Sequence, residues 1–272
     1  MKKALSIVLL LLLMATLLVT AVSAQTDGGY VYITVEKFAV GQGYILEPTR
    51  LALEDGDTAW SVLVRAMGED NLIVTESEWG NYLSGVKDNE TREANIPQFI
   101  IDQISGEEVT SRADSSILAA YDYTTQSGWT YAVNNTGAAV SMQSYELQDG
   151  DVIRVMYTVY GYGTDLGFGY NTETQASDAS YIDIADRDAV IKAVADAKTE
   201  NISSAAITVA LEASSNFETS QADIDNAAVE VEALMTDNSD TETPQTGDTG
   251  ITMLIFVIIS VAAAMFTVRR AR

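Results

Sequence analysis

The sequence predicts an α+β protein, with a mostly antiparallel sheet, at least one packed helix and then three short helices. Three observations predict it. Residues 31 to about 168 are rich in Tyr, Val, Ile and Gly and carry alternating stretches. Two Asp-Gly turns punctuate that region, and residues 186–236 switch to Ala, Asp, Glu and Val without Pro or Gly.

The elements follow in order. Val31 to Phe38 alternates in the manner of a strand. Glu54-Asp55-Gly56-Asp57 is a turn, because Asp-Gly supports positive φ. Thr58 then caps a helix through Trp60, Val62, Leu63, Val64, Ala66 and Met67. Trp129 to Val133 is a strand ending in the turn-like Asn134-Asn135-Thr136-Gly137, and Gln148-Asp149-Gly150-Asp151 repeats the first turn. Val152 to Tyr160 is a further strand, rich in β-branched and aromatic residues. Asp186 caps a helix with Val190, Ile191, Val194 and Ala197 inward, and a second helix covers Ser203 to Ser214. A third starts at Ser220, paired with Asp223 as a capping box, and carries the stripe Ile224, Ala228, Val231, Leu234.

The two ends point outward from the cell. Met1-Lys2-Lys3 precedes an apolar run from Ala4 to Val22 that closes on Val22-Ser23-Ala24. This is the pattern of a signal peptide over 1–24, cleaved between Ala24 and Gln25, with an uncleaved anchor as the alternative. Ile251 to Val268 is long and apolar enough to span a bilayer, and Arg269-Arg270-Ala271-Arg272 marks a cytoplasmic side. Before it stands Thr243-Pro244-Gln245-Thr246-Gly247-Asp248. The order of motif, span and basic tail resembles the cell-wall sorting signal of Gram-positive surface proteins. That resemblance implies a sortase cutting between Thr246 and Gly247 and joining the chain to peptidoglycan, after a stage in which the C-terminal helix holds it in the membrane. Thr243 stands where leucine is usual, and a plain membrane anchor is the alternative. Residues 237–247 form an acidic tether with the motif, and 248–272 the span and tail.

Composition narrows the chemistry. The chain of 272 residues has neither cysteine nor histidine and carries a formal net charge of −24. Five of its basic residues sit in the two ends, so the middle is more acidic still. Such a surface repels nucleic acid. Without His and Cys there is no Ser-His-Asp triad, no Cys-His dyad and no His-ligated zinc or haem. The acidic pairs fall in no recognisable glycosidase motif, so the expectation is a protein that is not an enzyme and has no metal. Asp55/Asp57, Asp149/Asp151 and Asp183/Asp186/Asp188 offer oxygen ligands for calcium, but turn formation and capping explain them as well.

The first domain, 25–170, resembles the transcobalamin C-terminal-like domain of bacterial surface proteins. The resemblance rests on Val40-Gly41-Gln42-Gly43-Tyr44-Ile45-Leu46-Glu47-Pro48, Asp55 to Trp60, Ser127-Gly128-Trp129-Thr130-Tyr131-Ala132-Val133-Asn134, Tyr145 to Ile153 and Val159 to Gly163. It implies a β-grasp-like fold that binds a small ligand, cobalamin-like in its vertebrate members, with Trp129, Tyr131 and the hairpin from Asn134 facing it. Residues 76–116 have no counterpart, and the helical half of the vertebrate clamp is absent. The alternative is an adhesin or structural protein that binds protein or glycan. Residues 171–185 read as a linker, and 186–236 resembles the three-helix spacer modules of such proteins.

Trp129 and Tyr131 point the same way, so both serve the core or both serve a ligand. One sheet face must cover the helix after Asp57, which leaves the opposite face for binding. Tyr162 and Phe168 lie where glycines alternate with aromatics in a loop, and are read as recognition residues or as a turn folded back on the sheet.

Overall fold

The computed structural model describes residues 28–77, 80–89, 93–106 and 108–238. The signal-peptide residues Ala24 and Gln25 and the sorting residues Thr246 and Gly247 lie outside the described residues, as do both long apolar segments. Among the described residues no helix is long and apolar enough to cross a membrane.

The architecture mixes helices with antiparallel strand pairing, as the composition requires. The main sheet contains β1 (Tyr30–Glu36), β2 (Tyr44–Ala52), β6 (Gly128–Val133), β7 (Thr136–Gly137) and β8 (Val152–Thr158), in the order β2-β1-β8-β6-β7. Its central pair, β1 and β8, runs parallel, with Ile33 opposite Ile153 and Val35 opposite Val155. The other pairs are antiparallel. All seven residues of β8 are buried, which is why its sequence reads as a continuous apolar and aromatic run rather than a strict alternation. A second sheet joins β3 (Leu72–Ser77), β4 (Gly80–Lys87) and β5 (Ile117–Ala119), and β9 (Gly169–Asn171) pairs with β10 (Ala176–Ala179).

The two Asp-Gly turns are built alike. In the first, Asp57 Oδ2 accepts from the Glu54 N–H at 2.9 Å, and in the second Asp151 Oδ2 accepts from the Gln148 N–H at 2.8 Å. Gly56 and Gly150 take φ of 79° and 84°, which a Cβ would resist. Thr58 then starts α1 (Ala59–Met67) with a capping box: its hydroxyl accepts from the Ser61 N–H, and the Ser61 hydroxyl accepts from the Thr58 N–H. Ala59, Val62 and Leu63 of α1 pack into the same core as Val31, Ile33, Val35, Ile153 and Val155. A short helix α2 (Gln98–Ile101) carries Ile100 inward.

Residues from 186 onward fold as α3 (Asp188–Thr199), α4 (Ala205–Ser215) and α5 (Gln221–Asn238), with Val190, Val194, Ile207, Ile224 and Val231 in a common apolar cluster. Asp186 Oδ1 accepts from the Asp188 N–H, Ser204 caps α4, and Ser220 accepts from the Asp223 N–H. These helices lie against the sheet. Asp196 on α3 meets Arg50 at 2.9 Å and the Tyr32 hydroxyl at 3.2 Å. Arg187 is fully buried and donates to the carbonyls of Ser214, Ala185 and Asn216.

Candidate functional site

Cross-strand partners share a sheet face, and Trp129 pairs with Tyr157 while Tyr131 pairs with Val155. Both rings therefore stand on the face that α1 covers. The concave part of the sheet surface next to these rings lies on the α1 face, for a geometric reason. Helix α1 is only nine residues long and lies over β1 and β2, so that β6 is covered by β4 and β5 instead, whereas α3 and the loop after β8 close the other face.

Between α1 and the second sheet lies a groove of about 580 Å³. Its floor is Trp129, Tyr131 and Val155. One wall is Trp60 from α1 with Ala138, Ser141 and Met142; the other is Thr75, Asn81, Tyr82 and Leu83 from β3 and β4, with Tyr121. Among the described residues no acidic or basic side chain lines it. The first wall is fixed by the Trp60 N–H donating to the Met142 carbonyl and by the Tyr131 hydroxyl donating to the Val140 carbonyl at 2.7 Å. Gln143 ties it to β4 through the Asn81 carbonyl.

The floor is rigid. Trp129 is 8% exposed, its indole N–H donates to the Leu118 carbonyl at 3.0 Å, and its ring meets Tyr157 edge-on at 5.3 Å. Burial, then Tyr145, pushes the Tyr131 phenol up to about 12. The mouth is exposed: Tyr82 is 41% and Tyr121 67% accessible. Burial and the neighbouring Tyr121 raise the Tyr82 phenol, so it too stays uncharged near neutrality. A Cβ on Gly128 would stand 3.0 Å from the Tyr82 hydroxyl, so the start of β6 lies close against that ring.

Tyr121 has φ of 67°, the left-handed region that side chains avoid. It is held there on both sides. Its N–H donates to the Ser127 carbonyl, and Asp122 accepts from the N–H groups of Ala119 and Ala113. A strained backbone that presents an exposed ring is a feature found at binding sites.

The remaining residues expected at a site lie elsewhere. Asn134 shapes the β6–β7 turn, donating to Asp151 and accepting from the Val152 N–H. Phe168 lies over the Arg154 guanidinium at 5.6 Å on the far face. Tyr162 is 73% exposed at the end of the sheet. The structure thus brings Trp129 and Tyr131 together but neither Asn134 nor Phe168 to them. The aspartates weighed for calcium serve turns and ion pairs: Asp57 binds Arg65 at 2.7 Å, and Asp149 accepts from the Tyr30 N–H. Among the described residues no group of three or more acidic side chains is placed to hold a metal.

Sequence reasoning missed Tyr82 and Tyr121. They are single aromatics near or within residues 76–116, with no periodicity to mark them, and only tertiary packing carries them to β6.

A family model, the domain of unknown function DUF4430, matches residues 85–159, which covers β5, β6, β8 and most of the groove. Among solved structures the chain is similar to haptocorrin in complex with Cbi, at 14% identity and a TM-score of 0.30, over 52% of this chain and 28% of that one. It is also similar to a protein of Ruminococcus gnavus ATCC 29149 named as a candidate metal binder, at 11% identity and a TM-score of 0.26, over 48% of this chain and 98% of that one. Likeness this distant places no ligand. The chain spans 28% of the haptocorrin chain it matches. No curated protein matches it.

Proposed function

We propose that this chain is a non-enzymatic binding protein displayed on the outside of the cell, and that the aromatic groove is its site. The groove carries the reading. Trp60, Tyr82, Tyr121, Trp129 and Tyr131 converge on one concave surface that no charged side chain lines among the described residues, and aromatic rings with a few uncharged polar groups suit a small-ligand site. The order β2-β1-β8-β6-β7 with a parallel centre suits a β-grasp-like domain. The sequence motifs add a cobalamin-like ligand as one occupant, and the transcobalamin C-terminal-like reading of 25–170 rests on those motifs. Surface display and anchoring to peptidoglycan by a sortase rest on the patterns of the two chain ends. The helices after 185 serve as a spacer towards the wall and as a cover for the sheet.

The test is a titration of the purified protein with cobalamin and cobinamide, and with neutral oligosaccharides, read by tryptophan fluorescence and equilibrium dialysis. Retention of any of these, lost in Tyr82→Ala and Tyr121→Ala, is the expected result. Retention unchanged in both variants, or none for any ligand, overturns the groove as the site.

A further inference from the structure

We infer that the groove takes an uncharged polysaccharide chain, and that the chain extends from Tyr82 and Tyr121 to a second contact at Tyr162. This rests on the reading of the groove as a binding site. The charge argument comes first. In a chain of net charge −24, a concave surface with no acidic or basic side chain among its described lining residues is matched to a neutral partner. Its lining then alternates flat rings with hydroxyl and amide groups, namely Thr75, Asn81, Ser141 and the tyrosine phenols. Sugar rings present apolar C–H faces that pack on aromatic rings, and hydroxyls at their edges that pair with such groups.

The extension beyond the groove follows from how two loops are joined. The Tyr121 turn is bonded to the loop after β8: the Gly161 N–H donates to Gln126 Oε1 at 3.1 Å, and the Thr124 hydroxyl donates to the Val159 carbonyl at 2.5 Å. Tyr162 stands next in that loop with φ of 53°, so neighbouring loops each present an exposed tyrosine from the left-handed region. Such backbone is strained for a residue that carries a side chain and persists only where the surroundings enforce it. An extended ligand with a repeating flat face meets successive rings in this way. A compact ligand would occupy the groove alone.

Affinity electrophoresis tests this, with soluble neutral polysaccharides (a mixed-linkage β-glucan, a galactomannan, a dextran and a xylan) and with alginate as the acidic control. Retardation by at least one neutral polymer and none by alginate is expected. Tyr121→Ala should abolish it. Tyr162→Ala should weaken polymer binding several-fold while leaving a disaccharide of the same sugar bound as before. No retardation by any neutral polymer, or retardation by alginate alone, overturns the proposal. Equal retardation of Tyr162→Ala and the parent protein overturns the second contact. Should corrinoids bind and no polymer do so, the groove stands as a site and this inference falls. Unchanged circular dichroism confirms that both variants fold.

Discussion

Glu36 and Arg154, 118 residues apart in sequence, meet as a buried two-point ion pair on the face of the sheet opposite α1. Nε donates to Oε1 at 2.9 Å and Nη2 to Oε2 at 2.8 Å, and Thr34 donates to the same Oε1 at 2.7 Å. Removing one partner strands the other charge in the interior, at a cost of about 3–5 kcal/mol. Arg154→Ala should therefore unfold at much lower urea than the parent. Glu36→Leu combined with Arg154→Met should recover most of the loss, and failure to recover would mean the pair contributes more than charge neutralisation.

Asp165 sets a pH dependence. It is fully buried, and accepts from the Thr158 hydroxyl and from the N–H groups of Val159 and Tyr160. Burial outweighs these bonds and pushes its carboxyl up to about 6. The folded protein thus holds a proton between about pH 4 and 6 that the unfolded chain has released, so stability is highest at the acidic end and falls as pH rises through about 6. At about 1.4 kcal/mol for each pKa unit, the effect is on the order of 3 kcal/mol. Asp188, raised to about 6 by burial and then by Asp186, acts in the same direction. Urea midpoints should be higher at pH 4.5 than at pH 7, and Asp165→Asn should reduce that difference.

Tyr121 should trade stability for binding. Tyr121→Gly relieves the left-handed strain but loosens the unfolded chain, so stability stays level or rises by up to about 1 kcal/mol. Groove ligands should lose at least tenfold in affinity. A marked fall in Tm would show that the ring supports the fold instead.

Gly41 and Gly56 separate steric contact from backbone strain. Both have positive φ, 69° and 79°. A Cβ at Gly41 would stand 1.9 Å from the Asn95 carbonyl oxygen, whereas one at Gly56 meets nothing within 4 Å. Gly56→Ala should cost about 1 kcal/mol and Gly41→Ala roughly 3 kcal/mol or more, read from thermal melts.

Thr246→Ala should leave the protein in the membrane fraction and absent from muramidase-released wall material. Wall attachment that survives the change would rule out sortase transfer at that bond.

Local chemistry was legible in the sequence. The repeated Asp-Gly-Asp turns and the Thr58 cap need only neighbours a few residues away to form, so their residues announce them, and the β-branched and aromatic run from Val152 announces a strand although its partners lie far off in sequence. The pairing of Trp129 with Tyr131 followed from strand alternation alone. The covered and open parts of the sheet did not, because they depend on the length of α1 and on where β3 and β4 return. Glu36, Arg154 and Arg187 looked like ordinary charged residues, since burial of a charge is decided by partners far away in sequence.

The parallel pairing of β1 with β8 has a consequence for how the chain acquires its shape. A strand near the start must wait for one completed at residue 158, so the centre of the sheet cannot close while the intervening chain is still emerging. Loops of that length close late, and folds built on distant pairings are slow. Until then the apolar β1 residues lie open to solvent and to other chains. Assembly should thus be a late, cooperative event, completed only after the third strand of the central trio, β6, and its partner β8 are both free to dock.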